Sequence, residues 1–183
     1  MNRRTFLTGG AAAGAVALAG CVGGQATLDW TGESVDGPER HQLFDGGSFV
    51  LTTRQLSPAA DGERTPVPFE LVLHHREGLR TDGFRLGFRA PPRDGSAFDA
   101  DVYIASSPLP LRVERTKGWT TVEADDLGSL GESNVALDLF VLPTLSRPVD
   151  ELLVDADVRL SESGPVRRRY RARRLIGVPL ARA

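Results

Sequence analysis

From residue 26 onward, apolar side chains fall at alternate positions or in short runs, and no stretch holds a 3.6-residue period for three turns. Alternation of period two marks strands that bury one face. On that basis strands are expected at 48–56, 66–76, 83–90, 99–107, 109–116, 119–124, 133–142, 151–160 and 166–176, with a weaker one at 26–30. Five Asp-Gly pairs, at Asp36, Asp45, Asp61, Asp82 and Asp94, read as turns between them, because both residues tolerate positive φ. Asp125 to Gly131 fits one short turn, and residues 31–47 carry no assignable element. The pattern predicts an all-β fold: an antiparallel β-sandwich, immunoglobulin-like or related, of about 8–10 strands with little helix.

Two hairpins can be given a register. If Lys117-Gly118 is a two-residue turn, Thr116 faces Trp119, Val113 faces Val122 and Arg112 faces Glu123. That places Leu111, Val113 and Val122 on one face and the charged pair on the other, a sorting that a one-residue slip would destroy. Trp119 then lies on the polar face beside the turn. In the second hairpin Leu152, Val154, Ala156, Val158 and Leu160 form an inner row. Pairing Leu160 with Val166 sets Asp157 against Arg169 and Asp155 against Arg171. The same register points Arg168 and Arg174 toward the core, where only a bulge or a strand end would rescue them.

The residues before this domain obey a different logic. Asn2-Arg3-Arg4-Thr5-Phe6-Leu7 leads into a Gly/Ala-rich apolar run that ends at Leu18-Ala19-Gly20-Cys21, the only cysteine. The run is short for a spanning helix and is weakened by Gly9, Gly10 and Gly14. This segment resembles the leaders of twin-arginine-exported lipoproteins of halophilic archaea. The resemblance covers residues 1 to about 25, and it implies export through Arg3 and Arg4, cleavage after Leu18, Ala19 and Gly20, and lipid on Cys21. An uncleaved signal anchor with Cys21 as a free thiol is the alternative. Stable anchoring takes two signals, so a two-chain lipid is expected. The organisation is then signal peptide 1–20, lipidated Cys and short tether 21–25, and one β-sandwich at 26–183. The expected location is the outer face of the cell membrane, with the domain close to the bilayer.

Removing the leader leaves 20 basic and 24 acidic residues, a net charge of −4. All the acids lie between Asp29 and Glu162, while seven arginines follow Pro165, so residues 21–164 have a net charge of −11. Lys117 is the only lysine. An exported acidic chain is a poor partner for nucleic acid. The tail from Arg167 to Arg174 suits anionic headgroups or an acidic partner. The blander reading, that it neutralises the acidic sheet beside it, is preferred.

No catalytic or metal motif stands out. Zinc needs four convergent ligands, and only His41, His74 and His75 remain once Cys21 is assigned to lipid. His74 and His75 are adjacent in a strand and leave on opposite faces. Met1 is the only methionine, which argues against a type 1 copper centre. Asp99-x-Asp101 and Asp155-x-Asp157 read as solvated or ion-paired acids rather than calcium ligands. There is no Gly-x-Ser-x-Gly elbow. Trp30, Trp119 and Phe44, Phe49, Phe69, Phe84, Phe88, Phe98 and Phe140 read as core rather than as a sugar-binding platform, with Trp119 the exception because the hairpin register puts it on the polar face. No cofactor or metal is expected. The leading functional expectation is a non-enzymatic, lipid-anchored accessory or interaction module of the cell envelope with a protein partner. A surface module for a small molecule or carbohydrate, using Trp119 and His41, is the alternative. A hydrolase built on carboxylates with His74 or His75 ranks third.

Overall fold

The computed structural model of the protein describes residues 24–58, 65–90, 100–105, 107–116, 118–143, 150–165 and 167–181. Two six-stranded sheets pack face to face as a β-sandwich, and there is no α-helix among the described residues. The elements are β1 (Gln25–Leu28), β2 (Trp30–Asp36), β3 (Glu39–Phe44), β4 (Phe49–Gln55), β5 (Val67–His75), β6 (Leu79–Arg89), β7 (Ala100–Ile104), β8 (Arg112–Thr116), β9 (Trp119–Asp125), β10 (Val135–Pro143), β11 (Glu151–Glu162) and β12 (Arg169–Pro179). The first sheet runs β1-β12-β11-β6-β9-β8 and the second β2-β3-β4-β5-β10-β7. Every pairing is antiparallel except β1 with β12, which is parallel, a departure from the all-antiparallel expectation. Gln25, read as tether, is already the first residue of β1.

Strand alternation builds the core. Phe49, Leu51, Phe69, Leu71, Leu73, Leu137 and Leu139 of the second sheet meet Phe84, Leu86, Phe88, Val122, Val154 and Val158 of the first, all fully buried. At about 25 cal/mol per Å² of apolar surface, such interleaved faces are the main source of stability in a disulfide-free domain. The aromatic residues divide. Phe44, Phe49, Phe69, Phe84 and Phe88 are core, whereas Trp30 and Phe140 are each 39% exposed and Trp119 is half-buried on an outer face. Phe98 lies outside the described residues.

The two strands that pattern reading missed, β2 and β3, occupy the unassigned segment 31–47. They sit at the edge of the second sheet, where β2 is exposed along nearly its whole length and so carries no apolar period. In β3 a buried Gln42 takes an inward position and accepts a hydrogen bond from Trp30 Nε1 (2.9 Å), so a polar residue stands where the pattern looks for an apolar one.

Asp82-Gly83 is not a turn but lies inside β6. The register there shifts between Arg159 and Leu160, because Gly83 pairs with Arg159 and Thr81 with Leu160, leaving Asp82 as the extra residue of a bulge. The Asp82 carbonyl instead accepts from Leu127 N (3.1 Å), which ties the bulge to the 3₁₀ turn Gly128–Glu132. Asp36-Gly37 and Asp45-Gly46 do turn the chain, with Gly37 and Gly46 at φ of 57° and 63°. Asp61 and Asp94 lie outside the described residues.

The β8–β9 register agrees pair for pair with the expectation: Thr116 opposite Trp119, Val113 opposite Val122, Arg112 opposite Glu123. Lys117 lies outside the described residues. Val122 is fully buried, yet Val113 is 46% exposed because β8 is the sheet's edge and overhangs the core. The β11–β12 register differs from the expected one by four residues. Leu160 pairs with Tyr170, Asp157 with Arg173 and Val154 with Ile176. An even shift keeps every side chain on its face, so hydrophobic sorting does not distinguish the two. Arg174 does point inward, opposite Ala156. The rescue is neither a bulge nor a strand end: its guanidinium lies 3.7 Å from the ring centroid of Trp30, at the open edge where the chain crosses from β1 to β2.

Candidate interaction surface

The outer face of the first sheet carries an ordered row of charge. Across five strands the register aligns Arg173, Asp157, Arg85, Glu123 and Arg112, alternating in sign. Asp157 accepts a bidentate pair from Arg171, with Nε to Oδ1 at 2.7 Å, and Arg85 Nε donates to Glu123 at 2.9 Å. The Arg171 hydrogen bond, helped by the charges of Arg173 and Arg159, holds the Asp157 carboxyl below the usual carboxylate range despite its partial burial. The Asp155-x-Asp157 pair is therefore divided: Asp157 is ion-paired, and Asp155 lines a depression beside Trp119.

Trp119 lies over Gly87 on this face. A Cβ at Gly87 would stand 3.1 Å from Trp119 Cε3, so the glycine lets the indole settle on the sheet and the indole covers the backbone the glycine leaves bare. Arg89 approaches the ring at 5.9 Å. Shallow depressions flank it, one of about 610 Å³ with Asp155, Arg173, Arg174 and Leu175, the other of about 380 Å³ with Arg85, Glu114 and Thr121.

His41, in the segment without an assigned element, is in β3 on the outer face of the second sheet. Its Nδ1 is 3.0 Å from Thr52 Oγ1 and its Nε2 3.6 Å from Glu39. Trp119 and His41 thus stand on opposite outer faces and do not share a site. His74 keeps to His41's face. Burial and the neighbouring His41 lower its pKa, against a hydrogen bond to Asn134 and the charges of Glu39 and Glu70. His75 turns the other way, with Nε2 3.1 Å from the Gly131 carbonyl. Among the described residues, no group of three or more His, Cys, Asp or Glu converges to hold a metal ion.

At the end of the first sheet where β1 begins, a crevice of about 790 Å³ is lined by Gln25, Arg80, Asp82, Arg159, Arg167 and Arg169, among others. Asp82 takes both Arg80 Nε (3.0 Å) and Ser161 Oγ (2.8 Å), and Asp125 pairs with Arg159. The basic tail is thus split. Arg171 and Arg174 are engaged, while Arg167 and Arg169 are exposed with no ion-pair partner among the described residues. Pattern reading treated the tail as one block, and the division depends on the register, which it had misplaced. Arg3, Arg4, Leu18, Ala19, Gly20 and Cys21 lie outside the described residues, and no described helix is long and apolar enough to cross a membrane.

These features define a two-sheet β-sandwich with a charged outer face and no deep enclosed site among the pockets described. The chain belongs to the family described as a domain of unknown function, DUF8121, whose model matches residues 25–178. No curated protein matches it. Among solved structures it is similar to the human F-spondin reeler domain, at 10% identity over 73% of this chain and 88% of that one, with a TM-score of 0.42. It is also similar to the cohesin module of a family 33 glycoside hydrolase from Clostridium perfringens, at 8% identity over 73% of this chain and 96% of that one, with a TM-score of 0.41.

Proposed function

We propose that the protein is a membrane-anchored, extracytoplasmic lipoprotein whose β-sandwich is a non-enzymatic accessory or interaction module of the cell envelope. The observation that carries this reading is the spacing between leader and fold. The first described strand opens at Gln25, four residues after Cys21, the position that the leader resemblance marks for lipid. The three intervening residues let Gln25 lie at most about 14 Å from Cys21, which keeps the sandwich at the bilayer and leaves its outer faces open to a protein partner. The test is cross-linking and pull-down from native membranes, with tagged wild type beside Cys21→Ser. A specific partner recovered with the anchored form alone supports the reading. Identical behaviour of the two forms, with nothing captured, counts against it.

The placement of Trp119 favours one second reading, a surface module for a carbohydrate or other small molecule. A half-buried indole between two depressions with Asp155, Arg85 and Glu114 at hand offers a stacking face and polar edges. Tryptophan fluorescence in a Trp30→Phe background, titrated with oligosaccharides, reads Trp119 alone. A saturable change abolished by Trp119→Ala supports this reading, and a flat response removes it.

A further inference from the structure

Arg167 and Arg169 stand where the anchored chain would enter the domain. Gln25 pairs with Arg169 across the β1–β12 ladder, and both line the crevice at that end of the sandwich. Three of the acids at this end are engaged: Asp82 by Arg80, Asp125 by Arg159, and Glu162 by the Tyr170 hydroxyl at 2.6 Å. Asp126 is the one acid of the crevice wall for which no such contact is seen among the described residues. Both arginines are exposed, and neither has an ion-pair partner among the described residues. Elsewhere the body is acidic, with a net charge of −11 over residues 21–164.

We propose that Arg167 and Arg169 dock the domain onto the phosphates of anionic lipid headgroups, holding this end of the sandwich against the bilayer. The proposal rests on the anchored reading above. The guanidinium fork matches phosphate oxygens in a bidentate geometry. A tether of at most about 14 Å from Cys21 keeps these two residues within reach of the headgroups. An anionic surface repels the acidic remainder, so this end is the one it attracts. An acidic protein segment is the competing occupant, and tether length favours the lipid. Each arginine near a charged surface changes partitioning roughly fivefold, so the two together account for roughly 25-fold.

The experiment uses the full chain carrying Cys21→Ser, to which no lipid can attach at that position. Sedimentation with phosphatidylglycerol or phosphatidylcholine vesicles is measured at about 0.1 M salt, where the Debye length is about 10 Å. Arg167→Gln/Arg169→Gln is compared with Arg112→Gln/Arg115→Gln, which removes the same charge from edge strand β8. The leader is common to all three chains, so its own affinity cancels. Binding to phosphatidylglycerol should fall roughly 25-fold for the first pair and less than about threefold for the second, with phosphatidylcholine binding alike for all. No fall, or equal falls for both pairs, overturns the proposal and leaves the acidic protein segment as occupant. The mass of Cys21 in wild type extracted from membranes tests the anchor separately. An unmodified thiol beside arginine-dependent vesicle binding overturns the anchored reading while supporting headgroup docking. A lipid adduct beside arginine-independent binding does the reverse.

Discussion

Single atoms decide several positions. Gly131 packs so closely on β6 that a Cβ there would fall 1.8 Å from the Thr81 carbonyl oxygen. Gly131→Ala should therefore cost about 1–3 kcal/mol, the usual range for overpacking, as a lowered denaturation midpoint with an unchanged m-value. His74 gives the fold a dependence on acid. Its folded pKa lies below 6.5, so between the folded value and 6.5 the unfolded chain binds the proton more tightly. Its stabilising contribution is complete above that window, falls as pH drops through it, and declines no further beneath the folded value. His74→Gln should flatten this part of the stability–pH curve, measured by urea unfolding between pH 7.5 and pH 5. An unchanged slope in the variant would assign the dependence to other groups. Neither effect can be read from residue type, since both arise from what lies across the fold.

At the scale of elements, the alternating pattern located the strands well wherever one face is buried, as in β5, β9, β10, β11 and the part of β6 from Gly83 onward. It failed at one edge of the second sheet, at β2 and its neighbour β3. β2 buries almost nothing, and pattern is only the imprint of burial. Register was legible in β8–β9 because a short turn left one sensible alignment. In β11–β12 the longer connection allowed two alignments of equal polarity, and the observed one places Arg174 over Trp30. That contact should be measurable. A double-mutant cycle of Arg174→Ala and Trp30→Ala is expected to give a coupling of about 0.5–1 kcal/mol, the range for an exposed cation–π pair. A coupling near zero would mean that Arg174 is merely accommodated at the open edge.

At the scale of the whole molecule, two sheets share one core, so neither should unfold alone. Phe84→Ala on the first sheet and Phe69→Ala on the second should each cost about 3–5 kcal/mol and leave one cooperative transition. Near-ultraviolet and far-ultraviolet circular dichroism should give coincident curves in both variants. Separated curves would show that the sheets are independent units. The same packing sets the electrostatic layout. It aligns Arg173, Asp157, Arg85, Glu123 and Arg112 across five strands drawn from distant parts of the chain. It also gathers Arg167 and Arg169 beside the first strand, at the opposite end of the sheet from Trp119.

The sequence alone determined the fold class, the β8–β9 register, the core phenylalanines of the central strands and the polar setting of Trp119. Each follows from local period, turn chemistry or strand parity, which are properties of neighbouring residues. Tertiary structure decided the rest: the parallel pairing of β1 with β12, the bulge at Asp82-Gly83, the separation of Trp119 from His41, and which arginines of the tail meet an ion-pair partner among the described residues. These depend on which distant strands lie side by side, and alternation of period two assigns a residue to a face without naming its neighbour across it.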